Sequence, residues 1–392
     1  MRFLNLGHFL DHYVLLIFPT AVLVIERDWQ MSYGEALALS SPMFMAFALA
    51  TLPAGWLGDH WSRSHMMSVF FTGCGACCLA AAAAPNPFAL SAALAGLGLF
   101  AAIYHPVGIA MVTETNARRG HALAVNGVWG NMGLAVAALC TGVLCERFGW
   151  RVSFLVPGLV CLAVGVLHMA LAGRSIPART EGSERAGIGS AASRTTLWRV
   201  LVFVAAAALF GGIVFNAVSL SLPKLLSERL AGTSSSLSEV GSYAGLIFAV
   251  AGLAQLPVGW FLDRYDVRPL LFVLFSAQAG LLFTTTLVTG FAVVPVTMGL
   301  VLSMFAWIPV SSWLVGTYVP SAWRSRVFSV EYTLSLGTTA LVVPALSWLH
   351  LNGFGFSVQF AVWAGFAVIV FAAALILPRR PGNVARAALF SN

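Results

Sequence analysis

Runs of about twenty apolar residues recur twelve times along this 392-residue chain, separated mostly by turns only a few residues long. A bilayer core roughly 30 Å thick is crossed by about 20 helical residues, so each run is long enough to span it. The runs predict spans near 3–25, 35–57, 66–84, 88–113, 121–145, 152–173, 199–226, 238–262, 269–289, 291–318, 325–349 and 356–377. With 59% hydrophobic and only 9% charged residues, the chain carries more apolar surface than a water-facing fold could hide. Lipid is the expected solvent. The runs are continuous and lack the alternation over about ten residues that a barrel wall needs, which excludes membrane strands. An all-α integral membrane protein is the expected class. His8, Asp11 and His12 interrupt the first run and no small-residue cleavage site follows, so this span is expected to remain in the mature protein.

The net charge of +7 is not a cue for nucleic acid once its distribution is read. With the amino terminus inside, only Arg27, Arg147, Arg151, Lys224 and Arg229 of the 21 basic residues fall on the outer side. That bias follows the positive-inside rule and predicts a multi-pass protein of a bacterial inner membrane with both termini cytoplasmic. All six cysteines lie in predicted spans, where a thiol packs as a small apolar group. Cys74-x-x-Cys77 has no second pair to complete a metal or redox site.

A Gly/Ser/Ala/Arg-rich stretch at 174–198 divides the spans six and six and is expected to be a flexible cytoplasmic linker. It separates an N-terminal half, 1–173, from a C-terminal half, 199–378, with a tail at 379–392. The halves echo each other. Leu52-Pro53-Ala54-Gly55-Trp56-Leu57-Gly58-Asp59-His60 recurs 204 residues later as Leu256-Pro257-Val258-Gly259-Trp260-Phe261-Leu262-Asp263-Arg264, and the same offset carries Pro19 onto Pro223. Two landmarks in one register indicate a duplicated six-helix unit, the arrangement in which carriers bind solute between repeats.

The stretch Gly55 to Arg63 resembles the G-x-L-[A/G]-D-[R/K]-x-G-R signature of major facilitator superfamily transporters, and Gly259 to Arg268 resembles its second-half echo. The resemblance implies twelve transmembrane helices in two pseudo-symmetric halves. It also implies that Asp59 and Arg63, with Asp263 and Arg264, latch the halves on the cytoplasmic side. His60 and Ser62 depart from the usual basic residue and glycine. Ile103-Tyr104-His105-Pro106-Val107-Gly108-Ile109-Ala110, with Gly7-His8-Phe9, Asp11 and Tyr13, is similar to exporters related to fosmidomycin resistance. Gly127, Gly130 and Gly133 in the fifth span would let a neighbouring helix approach. They loosely resemble the superfamily's antiporter signature, although Asn131 stands where proline is expected.

Ionisable groups inside a membrane cost a few kcal/mol each, at about 2.5 to 3.5 on insertion scales, which makes them functional candidates. His8, Asp11 and His12 stand at i, i+3 and i+4, about 300° and 40° round the helix from His8, on one face with Asn5. An aspartate flanked by imidazoles can exchange protons near neutral pH; alternatively the group is a static polar patch joining two helices. His105, between Tyr104 and Pro106, is a second candidate because the proline breaks the helical ladder beside it. Asn216, the repeat partner of His12, and Trp307 and Ser311 in the tenth span are candidate cavity contacts. Glu331, near Arg324 and Arg326, is expected to form a gate ion pair, and Glu114 a similar one beside Arg118. His168 is expected to pack or to face lipid.

No phosphate-cradling loop is present, so neither an enzyme nor an ATP-driven pump is expected, and no cofactor is implied. One proton moving down roughly 150 mV releases about 3.5 kcal/mol, which is ample for a carrier. The expected function is secondary transport by alternating access, coupled to protons and exporting a small organic compound or drug, by a monomer whose partners are solute, protons and lipid. The alternative is a carrier of transition metals or metallophores that uses His8, Asp11, His12 and His105 as ligands.

Overall fold

The computed structural model of the chain describes residues 1–114, 119–172, 193–231 and 236–377. Arg118, most of the 174–198 linker and the 379–392 tail lie outside the described residues, as do the side chains of Asp59, Glu114 and Asp263. Among the described residues, twelve helices are long and apolar enough to cross a membrane. They are α1 (Arg2–Asp28), α2 (Tyr33–Gly58), α3 (Arg63–Ala82), α4 (Pro87–Val112), α5 (Ala122–Phe148), α6 (Trp150–Leu171), α7 (Arg194–Arg229), α8 (Leu237–Leu262), α9 (Val267–Leu287), α10 (Gly290–Tyr318), α11 (Arg326–Leu351) and α12 (Phe356–Leu375). No strand occurs among the described residues. The all-α membrane class read from hydropathy is the observed one.

One boundary moves. α7 begins at Arg194, inside the stretch expected to be linker, because the Ser193 hydroxyl accepts the backbone N–H of Thr196 at 3.2 Å and caps the helix. The first turns of α7 therefore extend past the apolar run on which its boundary was placed.

Caps extend the 204-residue register. Ser32 and Glu35 form a capping box at the start of α2, and Ser236 and Glu239 form another at the start of α8. Ser62 caps α3 by accepting the His65 N–H at 3.3 Å, and its repeat partner Asp266 caps α9 by accepting the Arg268 N–H at 3.2 Å. The serine that departs from the signature thus acts as a helix cap. Prolines punctuate the spans. The missing N–H of Pro19 accompanies a break in α1 at Leu16–Ile17, and Pro106 sits within a π-helical turn, Tyr104–Gly108, of α4.

The halves meet at the end of the molecule opposite the chain's termini. Lys224 of α7 donates to Glu26 of α1 at 2.8 Å and lies over the ring of Tyr33, 4.7 Å from its centroid. Tyr33 in turn meets His350 of α11 edge to face, with ring centroids 4.7 Å apart. Ser347 of α11 donates to the Gly34 carbonyl at 2.8 Å, and the Ser238 N–H of α8 donates to Glu146 of α5 at 2.6 Å. These polar contacts between the halves lie at that one end. Below them α5 and α8 touch backbone to backbone: a Cβ placed on Gly142 would lie 2.6 Å from the Leu237 carbonyl oxygen and 3.0 Å from the Gly241 Cα. Only glycine fits there. Gly142→Leu should therefore force the helices apart and destabilise the protein by about 1–3 kcal/mol, read as a lower thermal unfolding midpoint in detergent. An unchanged midpoint would show that this approach does not hold the two halves together.

Candidate functional site

The helical spacing of α1 sets His8, Asp11 and His12 on one face, and the π turn of α4 brings His105 against it. Ring centroids lie 4.9 Å apart for His8 and His12, 5.5 Å for His8 and His105, and 5.6 Å for His12 and His105. One ring nitrogen of each of the three lies within 4.8 Å of the others. Asp11 is fully buried, with Oδ2 3.2 Å from His105 Nε2. The two atoms are within ion-pair distance but are not aligned as a hydrogen bond, and neither carboxylate oxygen of Asp11 has a hydrogen-bond partner. His12 and His105 keep part of their surface open, whereas His8 is buried.

Behind the histidines a polar network fixes α1 against α4 and α5. The Tyr104 hydroxyl donates to the Leu4 carbonyl at 2.8 Å and accepts from Asn126 Nδ2 at 2.9 Å. Asn126 Nδ2 also reaches the Asn5 side-chain oxygen at 3.1 Å. His8 Nδ1 lies 2.8 Å from the Asn126 carbonyl oxygen. A carbonyl can only accept, so the proton of the neutral ring is on Nδ1 and the Nε2 lone pair of His8 is free. Glycines make the approach possible: a Cβ on Gly130 would fall 2.6 Å from His8 Nε2, and one on Gly133 would fall 2.3 Å from the Phe9 carbonyl oxygen. Gly127, the third member of that stripe, has nothing near it within 4 Å and plays no part in the contact.

Several predicted contacts are placed differently. Tyr104 is fully buried, stacked on His8 with centroids 4.9 Å apart, and its hydroxyl is committed to backbone and Asn126, so it supports the cluster instead of facing a cavity. Asn216 does not join the histidines. It ties α7 to α11, donating to the Ser335 carbonyl at 3.1 Å and to Thr338 Oγ1 at 3.0 Å. Trp307 packs edge to face on Phe203, at 5.4 Å between centroids, and against Phe275 at 5.7 Å, half-buried at the edge of the core of the C-terminal half. Glu331 is paired with the Ser311 hydroxyl, which donates to its Oε1; its Oε2 is buried without a partner. The expected arginine pair is not formed, because Arg324 turns its Nε to the Val319 carbonyl at 2.9 Å.

At the termini side, Arg264 folds back on its own helix. Its NH1 donates to the Trp260 carbonyl at 3.1 Å and its guanidinium covers the Trp260 ring. His60, its repeat partner, does the same with Trp56, with Nδ1 2.8 Å from the carbonyl oxygen and the rings stacked 4.4 Å apart. Arg63 opens α3, while the side chains of Asp59 and Asp263 lie outside the described residues. His168 is neither lipid-facing nor free; it is buried and its Nδ1 lies 2.8 Å from the Ser68 hydroxyl. All six cysteines are unbridged.

Residues 4–330 match the family model described as Major Facilitator Superfamily. Curated relatives include a puromycin resistance protein of Streptomyces alboniger, 33% identical over 131 residues, or 32% of this chain and 26% of that one. The niacin transporter NiaP of Acinetobacter baylyi is 28% identical over 168 residues, or 42% of this chain and 38% of that one. The chain thus spans only about a quarter to two-fifths of the length of these relatives. Among solved structures, a bacterial homologue of the lysosomal transporter Spinster, inward-facing and occupied, superposes with a TM-score of 0.73 at 16% identity, covering 99% of this chain and 95% of that one. The xylose transporter XylE from E. coli, inward open, gives 0.70 at 14% identity over 98% of both chains. At such identities these structures share the fold alone.

Asn126 was not singled out in the sequence, although a static polar patch joining two helices was one reading of the cluster; an uncharged amide one residue before a glycine stripe was the available signal. Asn126→Ala removes the amide that joins Asn5, Tyr104 and the Leu4 carbonyl. It should lower stability by about 1–3 kcal/mol, measured by thermal unfolding in detergent. A loss below about 0.5 kcal/mol would mean that the network does not hold α1 in place.

Proposed function

The chain belongs to the major facilitator superfamily, and from that premise we propose that it is a proton-coupled exporter of a small organic compound in a bacterial inner membrane. As a member of that superfamily it is a secondary transporter working by alternating access, and not an enzyme. The contacts between Asp11 and His105 carry the proton reading. A carboxylate withdrawn from water with no hydrogen-bond donor on either oxygen demands a positive charge nearby, and an adjacent imidazole can supply or surrender one. One proton shared between Asp11 and His105 neutralises the site; its departure leaves a charge that favours rehydration and a change of state.

His12 and His105, part open, are the groups through which solute and proton compete, and the buried His8 holds the ring stack. Asp59, Arg63 and Asp263 are proposed to close the cytoplasmic gate in the opposite state. In the present one Arg264 rests on Trp260 of its own helix. With basic residues biased to the termini side, the joined end would face outward and the termini side the cytoplasm. The puromycin resistance relative supports export. The niacin relative, and a gentisate transporter of Corynebacterium glutamicum 29% identical over 170 residues, support a small ring-bearing organic cargo.

In proteoliposomes with an imposed pH gradient, Asp11→Asn should abolish gradient-driven flux of a transported compound while leaving gel-filtration behaviour and thermal stability near those of the parent. Gradient-driven flux at the parent rate in the Asn variant would sink the proton assignment.

A further inference from the structure

The three imidazoles have a property that the proton reading does not use. We propose that His8, His12 and His105 form a three-nitrogen site for a divalent transition-metal ion, with Asp11 orienting His105 from behind. Imidazole nitrogens select borderline ions such as Zn²⁺, Co²⁺ or Ni²⁺ over Mg²⁺ and Ca²⁺, which prefer oxygen. The donor atoms lie within 4.8 Å of one another. In a tetrahedral site with metal–nitrogen bonds of about 2.0–2.1 Å they would stand roughly 3.3 Å apart, so the rings must draw in by roughly 1.5 Å.

The surroundings are those of a prepared ligand set. A metal-binding histidine usually gives its second ring nitrogen to a carbonyl or carboxylate, which fixes the ring and leaves the first nitrogen for the ion. His8 does so through Nδ1 to the Asn126 carbonyl at 2.8 Å, and the His105 ring lies beside the Asp11 carboxyl group, with Nε2 3.2 Å from Oδ2 though not aligned as a hydrogen bond. Nε2 of His8 is then free to serve as a ligand, and His12 and His105 each offer one ring nitrogen to the same set. His12 makes no side-chain hydrogen bond among the described residues and is part open, so it can turn to complete the set and offers the path of entry. Asp11 supplies the second, independent observation. Its buried carboxyl group has both oxygens without hydrogen-bond partners, and a dication on the neighbouring ring would favour its ionised form. Three ligands leave a fourth position for water or for a donor group on a bound solute.

The inference is independent of proton coupling and of the identity of the cargo, and its test uses neither gradient nor organic compound. Full-length protein in detergent is stripped with chelator and titrated with Co²⁺. A saturable visible ligand-field absorption that Zn²⁺ abolishes and Mg²⁺ does not is the expected result. His12→Gln and His105→Gln should each weaken Co²⁺ binding at least tenfold, and Asp11→Asn should weaken it about 10–100-fold. The absence of a saturable band in the parent protein, or parental affinity in both histidine variants, overturns the site; parental affinity in Asp11→Asn overturns the orienting role of the carboxylate. Because binding is read at equilibrium, failure here leaves the flux result for Asp11→Asn untouched, and the reverse also holds.

Discussion

Inside a bilayer there is no water to complete a half-made hydrogen bond, so a polar side chain on one span has to find its partner on another. This constraint organises the N-terminal half. Asn126 on α5 meets Asn5 and the Leu4 carbonyl on α1 and the Tyr104 hydroxyl on α4, and its own carbonyl fixes the ring of His8. The helices can come that close because Gly130 and Gly133 present no side chain where His8 and the Phe9 carbonyl lie. What is left unsatisfied stands out against this background. Asp11 brings a carboxyl group into the cluster without a donor aligned to either oxygen, and the chemistry proposed above follows from that imbalance.

The two halves share a scaffold and differ in their chemistry. Capping boxes at Ser32 and Ser236, helix caps at Ser62 and Asp266, and the folded-back cation and tryptophan pairs at His60 and Arg264 all keep the 204-residue register. The position of His12, by contrast, becomes Asn216, which bonds sideways to α11. Glu331 in the second half is matched with a hydroxyl and not with imidazoles. Duplication thus supplied the frame, and titratable chemistry was placed on one side of it.

Much of this was legible in the sequence, for physical reasons that also mark where legibility ends. Span number follows from apolar length, which lipid enforces, and the shared face of His8, Asp11 and His12 follows from helical spacing alone. The approach of His105 could be suspected from Pro106, but its aim depends on a π turn, which no residue pattern specifies. Asn126 escaped notice because an uncharged amide in a span does not declare whether it bonds or packs. Trp307 was read as a cavity aromatic, yet an indole among Phe203 and Phe275 is held by packing that only the fold reveals. The partner of Glu331 turned on depth: charges a few residues away along the chain are not at the same level as Ser311 across the interface.

His8, Asp11, His12 and His105 hang on α1 and α4 and are braced by α5, all within one six-helix unit, whereas the joints to the other unit at Glu26, Gly34 and Glu146 lie at the far end. The apolar joint does not stop there: α8 stays against α5 down to Gly252, where a Cβ would lie 3.1 Å from the Cβ of Asn131, the neighbour of the Gly130 that abuts His8. A rocking of one half on the other thus works directly on the wall against which the His8 ring rests.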